Sequence, residues 1–95
     1  MELSYDPEKR ARTLADPSRQ LDFEDAVQVF AGPTIDLIDD RKDYGETRWV
    51  TYGLLKGRMV ALVWTPRDQR RHIISMRKAN DREKKAYQEQ LDRSG

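Results

Sequence analysis

The segment Arg58–Thr65 constrains the fold more than any other part of the chain. Its central residues, Met59–Trp64, are apolar at odd and even positions alike. Successive side chains of a strand point to opposite faces of a sheet, so this pattern predicts a central strand. The run is far shorter than the roughly 20 apolar residues that cross a bilayer, and the N-terminus lacks a basic region followed by an apolar stretch. We therefore expect a cytoplasmic protein with no membrane contact.

Strands are predicted on both sides of this segment. Glu46–Leu55 is rich in aromatic and β-branched residues, and Lys56-Gly57 supplies a tight turn into the central strand. Thr34–Ile38 alternates in polarity, and Arg70–Lys78 follows a second turn. The pattern predicts an antiparallel sheet of about four strands.

Helices are predicted before and after the sheet. Asp6 and Pro7 form a start signal for the first helix, and Asn80 with Glu83 forms a capping box for a C-terminal one. An apolar stripe at helical spacing predicts a second N-terminal helix that ends at Gly32; the stripe comprises Phe23, Ala26, Val27 and Phe30. The fold class is therefore α+β, a single domain over residues 1–95, with the helices on one sheet face and the other face free.

Composition excludes several kinds of chemistry. The chain has no cysteine and one histidine, which rules out disulfides, thiolate catalysis and zinc sites built from several Cys or His ligands. We predict neither a metal site nor a cofactor.

Charge is distributed unevenly along the chain. The net charge is +1, but residues 1–45 carry six basic and eleven acidic residues, whereas residues 46–95 carry twelve and six. Between Arg67 and Lys85 there are eight basic and three acidic residues. They would form a phosphate-attracting surface if they shared a face; the alternative is an ordinary solvated face.

Two strands carry candidate catalytic residues. Glu46 and Arg48 project to one face, either as a simple ion pair or as a base beside a phosphate clamp. On the last strand, alternation puts Arg71, Ser75 and Arg77 on one face and His72 on the other.

RNA cleavage without a metal needs cations for the phosphorane-like transition state and groups that move protons. Arginine suits the first task. Glu46, His72 and Tyr87 are the candidates for the second, although a hydrogen-bonded core histidine is an equally good interpretation of His72.

The chain as a whole closely resembles the BrnT toxin family. Four ordered segments carry the resemblance: Tyr5–Lys9, Leu21–Phe30, the Asp-Tyr-Gly-Glu-Thr-Arg run of Asp43–Arg48, and Ile73–Asn80, followed by Arg82, Glu83 and Tyr87. The resemblance implies a RelE-like α+β ribonuclease toxin of a type II toxin–antitoxin system. It also implies a BrnA-like antitoxin that neutralises the toxin, and operator DNA bound only through their complex.

The resemblance also implies metal-independent cleavage by charged residues on an exposed sheet face. The matching positions are Glu46, Arg48, Arg77, Lys78 and Tyr87. Two departures stand out: Asp16–Gln20 replaces the Lys-His-Gly that many relatives carry after the first helix, and His72 stands where the family usually has arginine.

Our hypothesis is that Arg48 and Arg77 converge on the scissile phosphate while Glu46 or His72 moves protons. The RNA backbone would be held by further residues of the basic half, namely Arg71, Lys78, Arg82, Lys85 and Tyr87. The alternatives are a catalytically weak or inactive antitoxin-binding subunit of a DNA-binding repressor complex, and a plain RNA-binding domain.

Overall fold

The computed structural model describes residues 2–94 of the chain, and the side chains of residues 2–93. The elements in chain order are β1 (Glu2–Tyr5), α1 (Pro7–Ala15), a 3₁₀ turn (Phe23–Asp25), α2 (Ala26–Ala31), β2 (Thr34–Ile38), β3 (Trp49–Leu55), β4 (Arg58–Arg67), β5 (Arg70–Lys78) and α3 (Asp81–Ser94). The α+β class is confirmed. No helix of this part of the chain is long and apolar enough to span a membrane.

The sheet has five strands in the order β1-β5-β4-β3-β2, with β4 in the middle as predicted. Four strands are antiparallel to their neighbours, but β1 pairs with β5 in parallel, so the prediction of a four-stranded antiparallel sheet is wrong. β1 has only four residues and no clear alternation. It is a strand because it pairs with residues nearly 70 positions away, which no local pattern reveals.

The second predicted helix is also corrected. It is a 3₁₀ turn followed by the six-residue α2. Phe23, Ala26 and Val29 are buried at a spacing of three, whereas Val27, which the predicted stripe includes, is 58% exposed. A 3₁₀ helix has three residues per turn, so a buried face that repeats every three residues fits the 3₁₀ turn at the start of this segment.

α3 packs on the face of the sheet that the sequence predicted to be free. Val60, Leu62 and Trp64 of β4 pack toward Phe23 and the α2 region, on what we call the α2 face. On the opposite side, the α3 face, a second core holds Met59, Ala61 and Tyr52 of the sheet together with Ala79 and Leu91. The helices therefore lie on both faces, because β4 presents apolar side chains to both.

A β-bulge changes the faces of β5. Val63 pairs with Ser75 and Trp64 with Ile73, so Ile74 has no opposite partner. Opposite residues of an antiparallel ladder share a face, and one extra residue therefore shifts the alternation. His72, which pairs with Thr65, thus shares the α3 face with Ser75 and Arg77, and the prediction that it lies opposite them is wrong.

Arg71 moves to the other face for the same reason. It pairs with Pro66, and its guanidinium lies over the rings of Phe30 and Trp64, at 4.0 and 5.2 Å from their centroids. Arg71 therefore does not share a surface with Arg77.

Gly53 allows α2 to pack directly on β3, which gives a test of this packing. A Cβ at Gly53 would lie 2.6 Å from Val29 Cγ1. We expect Gly53→Ala to lower the free energy of unfolding by about 1–3 kcal/mol, as overpacked cores do.

Gly32→Ala is the matched control, because its Cβ would meet only Val29 O, at 3.9 Å. Urea denaturation of both variants measures the difference. Equal stability of the two variants would contradict the close approach.

Candidate active site

The part of the α3 face that α3 leaves open contains a groove of 460 Å³. Val50, Val63 and Ser75 line it from three adjacent strands. Its other lining residues come from the β2 end and the loop after it (Leu37, Ile38, Asp39, Asp40, Arg41) and from Arg19, Tyr52, Arg77 and Glu83. All four predicted catalytic residues lie on this face, in two groups.

The first group, which we call the His72 cluster, consists of Glu46, Arg48, Arg67 and His72. All of these except Arg67 are predicted catalytic residues. Glu46 Oε2 lies 3.3 Å from Arg48 Nε, and Glu46 Oε1 lies 3.1 Å from Arg67 Nη2. The Arg48 guanidinium also lies 3.9 Å from the centre of the Tyr44 ring. Hydrogen bonds from Arg67 and then Arg48 lower the pKa of Glu46, so this carboxylate orients arginines and is a weak base.

His72 is half-buried at the β1 side of this cluster. Its Nδ1 lies 3.0 Å from Ser4 Oγ on the neighbouring strand. Burial lowers the pKa of His72 below its ordinary value, and the positive charges of Arg67 and Lys9 act in the same direction. The imidazole is therefore neutral at pH 7 and able to accept a proton.

The second group, the Arg77 cluster, is made of Arg77, Glu83, Tyr52 and Tyr87. Arg77 Nη1 and Nη2 donate to the two Glu83 oxygens at 2.7 and 2.8 Å. Tyr52 donates to the same carboxylate at 2.5 Å, and its ring stacks on Tyr87 with centroids 4.7 Å apart. Glu83 therefore holds the Arg77 guanidinium through both of its Nη atoms, the two-bond geometry of a strong arginine–carboxylate pair.

The capping box of α3 fixes Glu83 in this position. Asn80 Oδ1 accepts from the Glu83 backbone N–H at 2.8 Å, and Glu83 Oε1 accepts from the Asn80 N–H at 2.9 Å. Hydrogen bonds from Arg77 first, and then from Tyr52 and the Asn80 backbone, lower the pKa of Glu83 to about 2. Burial, with the Glu83 hydrogen bond, raises the pKa of Tyr52 to about 12.

Arg48 and Arg77 share a face but are not neighbours. Trp49 pairs with Trp64 on β4, whereas Arg77 pairs with Ala61 from the other side. Strand geometry therefore separates the two backbone positions by about 13 Å along the strands and about 10 Å across them. Each guanidinium also has a local partner, Tyr44 with Glu46 in one case and Glu83 in the other.

The residues predicted to hold RNA are dispersed. Arg71 lies on the α2 face, and its Nε is buried without a hydrogen-bond partner. Lys78 pairs with Val60 and so lies on the α2 face as well. Arg82 and Lys85 are exposed on α3, and Tyr87 belongs to the Arg77 cluster.

Arg67 and Glu83 are site residues that the sequence analysis missed. The predicted two-residue turn at Lys56-Gly57 pairs Leu55 with Arg58, and continuing this register places Arg67 opposite Glu46. The signal for Arg67 was therefore present in the hairpin. Glu83 was identified only as a capping residue, and its contact with Arg77 depends on where α3 packs.

The acidic loop after β2 holds an ion pair. Asp39 is 7% exposed and accepts two hydrogen bonds from the Arg41 guanidinium, both at 2.8 Å, and one from the Arg41 backbone N–H at 3.4 Å. These bonds lower the pKa of Asp39. Within residues 2–93, no group of three or more His, Asp or Glu side chains is arranged to hold a metal ion.

Fold and site together define a small α+β protein with arginines, a neutral histidine and tyrosines on one partly open sheet face, groups suited to binding phosphate and moving protons. Residues 5–83 match the family of the ribonuclease toxin BrnT of type II toxin–antitoxin systems. The chain belongs to this family. No curated protein and no solved structure matches it, so the RelE-like architecture stays a prediction.

The Glu83 ion pair predicts a specific acid sensitivity. The folded-state pKa of Glu83 is about 2 against an ordinary value of 4.5. Its stabilisation is therefore complete above pH 4.5 and disappears as the pH falls toward 2. We expect Glu83→Gln to lower the free energy of unfolding at pH 7 by about 2 kcal/mol, a value reduced because Arg77 is partly exposed. Between pH 5 and pH 2, the free energy of unfolding should then fall much less in the variant than in the unsubstituted protein.

Glu89→Gln is the control, because Glu89 pairs with Arg93 on the exposed side of α3. Exposed pairs of this kind contribute about 0–1 kcal/mol. Denaturant titrations at several pH values compare the variants. An equal decrease in the free energy of unfolding for both variants would show that the Arg77–Glu83 ion pair stabilises the fold no more than an exposed pair does.

Proposed function

We propose that this protein is an endoribonuclease toxin that cleaves RNA on the open part of the α3 face without a metal ion. The observation that carries the proposal is the position of His72, which pairs with Thr65 on the face that also holds the ion pairs of Glu46 with Arg67 and Arg48. This joins a proton acceptor with fixed positive charge on one surface. Membership of the BrnT family supports the ribonuclease activity itself. The toxin acts in the cytoplasm.

In this mechanism His72 is the general base. With its Nδ1–H donating to Ser4 Oγ, the Nε2 lone pair accepts the proton of the ribose 2′-OH. The 2′-oxygen then bonds to phosphorus, the bond from phosphorus to the 5′-oxygen breaks, and water protonates the leaving oxygen. Ser4 holds the imidazole ring in the required orientation.

Arg67 and Arg48 stabilise the charge that develops on the phosphate. Both contact Glu46, which aligns the two guanidinium groups before RNA arrives. Arg77 lies too far along the sheet to share the same phosphate in its present position. It binds a neighbouring phosphate through its Nε side, with the groove along Val63 and Ser75 between the two sites.

The antitoxin partner covers this groove. Leu37 and Ile38 are 41% and 52% exposed and lie in the groove wall, where a bound protein would bury them. A BrnA-like antitoxin that occupies the groove excludes RNA from the arginines, and operator DNA is bound only through that complex. This placement accounts for neutralisation by simple competition.

His72→Gln tests the base. We expect kcat to fall on the order of 10²–10⁴-fold, the usual contribution of a general base. In the unsubstituted protein, kcat/KM should rise with pH to a plateau, with a midpoint below 6.5 because the pKa of His72 is lowered. The variant should lose this dependence on pH.

The measurement is cleavage of a labelled RNA across pH 4.5–8, with Arg93→Ala as a control at the far end of α3. An unchanged pH profile in His72→Gln would rule out His72 as the base. Activity that survives in excess EDTA supports cleavage without a metal, and loss of activity would contradict it.

Arg67→Ala and Arg77→Ala separate the two arginine roles. Removing a group that stabilises the transition state should lower kcat by on the order of 10²–10³-fold. Removing a contact with a remote phosphate should raise KM and leave kcat nearly unchanged. We therefore expect the first pattern for Arg67→Ala and the second for Arg77→Ala, measured by steady-state cleavage; the reverse assignment would place the scissile phosphate at Arg77.

A second candidate function is an antitoxin-binding subunit of a repressor complex with little or no catalysis. Glu83 occupying the fork of Arg77 favours it, as does the replacement of the usual arginine by His72. Expression without the antitoxin distinguishes the two functions. Growth arrest with RNA cleavage supports the toxin, whereas a harmless protein that still co-purifies with its antitoxin supports the subunit.

A further inference from the structure

Arg19 lines three separate cavities. One is the groove on the α3 face, and the other two, of 290 and 340 Å³, contain residues of the α2 face. This is possible because β1 pairs only with residues Arg70–Ile73, so the rest of β5 has no strand on its outer side. Arg19 thus lies at an open sheet edge that connects the two faces.

The cavity beside α1 is lined by more basic than acidic residues. Lys9, Arg12 and Arg19 contribute positive charges to it, and Thr13 lines it as well. Thr13 is only 6% exposed, and its hydroxyl makes no hydrogen bond within the described part of the chain. A threonine hydroxyl in the wall of a cationic cavity can donate a hydrogen bond to a phosphate oxygen.

The third cavity continues the positive charge. Lys56, Arg58 and Lys78 line it together with Arg19. Among residues 2–93, five of these cations have no carboxylate within 4.0 Å of their charged groups: Lys9, Arg12, Lys56, Arg58 and Lys78. We call Lys9, Arg12, Arg19, Lys56, Arg58 and Lys78 the edge band.

Two carboxylates oppose an anion in the edge band. Asp16 lines the cavity beside α1, but it accepts from the Ser18 hydroxyl and backbone at 2.7 and 2.9 Å and lies 3.6 Å from Arg19. Asp25 lines the third cavity. Six basic residues against two acidic ones leave a clear excess of positive charge.

We propose that the edge band binds the phosphate backbone of RNA that continues beyond the groove and passes around the open edge of β5 at Arg19. The inference rests on the proposed function and extends its substrate class to RNAs longer than the groove. Fixed positive charges spaced around an edge suit a chain with one negative charge per nucleotide. None of the exposed large apolar residues, which are Leu14, Val27, Leu37 and Ile38, lines the two cavities of the α2 face, so a protein partner would find no apolar centre there.

The test compares R12A/K56A/R58A, whose three residues line the two cavities of the α2 face and not the groove, with R70A/K84A/R93A, which removes three cations outside the edge band. Both are measured by fluorescence anisotropy with 2′-O-methyl RNAs, which lack the attacking hydroxyl and are not cleaved. The probes are about 4 and about 12 nucleotides long, within the range that small single-strand-binding domains cover. R58E serves as a single-substitution check if the first triple variant folds poorly.

We expect R12A/K56A/R58A to bind the long RNA more weakly than the control variant, by the same factor for different RNA sequences. The slope of log Kobs against log salt concentration should fall by about 2, since each phosphate contact with a single strand contributes about 0.7. Binding and cleavage of the short RNA should stay unchanged.

Equal affinity and salt slope for the two triple variants on the long RNA would overturn the proposal. So would unchanged RNA binding with loss of antitoxin binding, which would make the edge band a protein-docking surface. If the unsubstituted protein cleaves no RNA at all, the proposed function fails, whereas the edge band is still tested by the anisotropy measurements.

Discussion

Burial of β4 on both faces is the constraint on which the rest of the structure depends. Residues Met59–Thr65 are all 9% exposed or less, and alternate side chains belong to the two cores. The 3₁₀ turn and α2 cover one face of β4, and α3 covers the other. Only the part of the α3 face that lies beyond α3 stays open, and the groove and its arginines lie there.

The same packing divides the electrostatics of this face into two regions. At one end, burial and nearby cations keep His72 neutral, while Glu46 stays charged between Arg48 and Arg67. At the other end, the first turn of α3 brings Glu83 to Arg77 and fixes both. His72 and the Arg77–Glu83 ion pair are therefore separated along the sheet.

Much of the fold follows from local patterns. The alternating and β-branched runs gave β2 to β5, the Lys56-Gly57 turn set the β3–β4 register, and the Asn80–Glu83 capping box gave the start of α3. β1 was missed because a four-residue strand has too little pattern to be recognised. The 3₁₀ turn was missed because Phe23 and Ala26 fit both a three-residue and a 3.6-residue repeat.

The sequence by itself determined four residues of the candidate site (Glu46, Arg48, His72 and Arg77), their chemical types and the shared face of Glu46 and Arg48, because these depend on side-chain identity and on the two-residue period of a strand. The tertiary structure decided which of them act together. One unpaired residue at Ile74 moves His72 to the face of Arg77 and Arg71 away from it, and the docking of α3 gives Arg77 its carboxylate partner. Both effects arise from contacts between elements distant in the chain, where the free energy of packing, and not a local repeat, selects the arrangement.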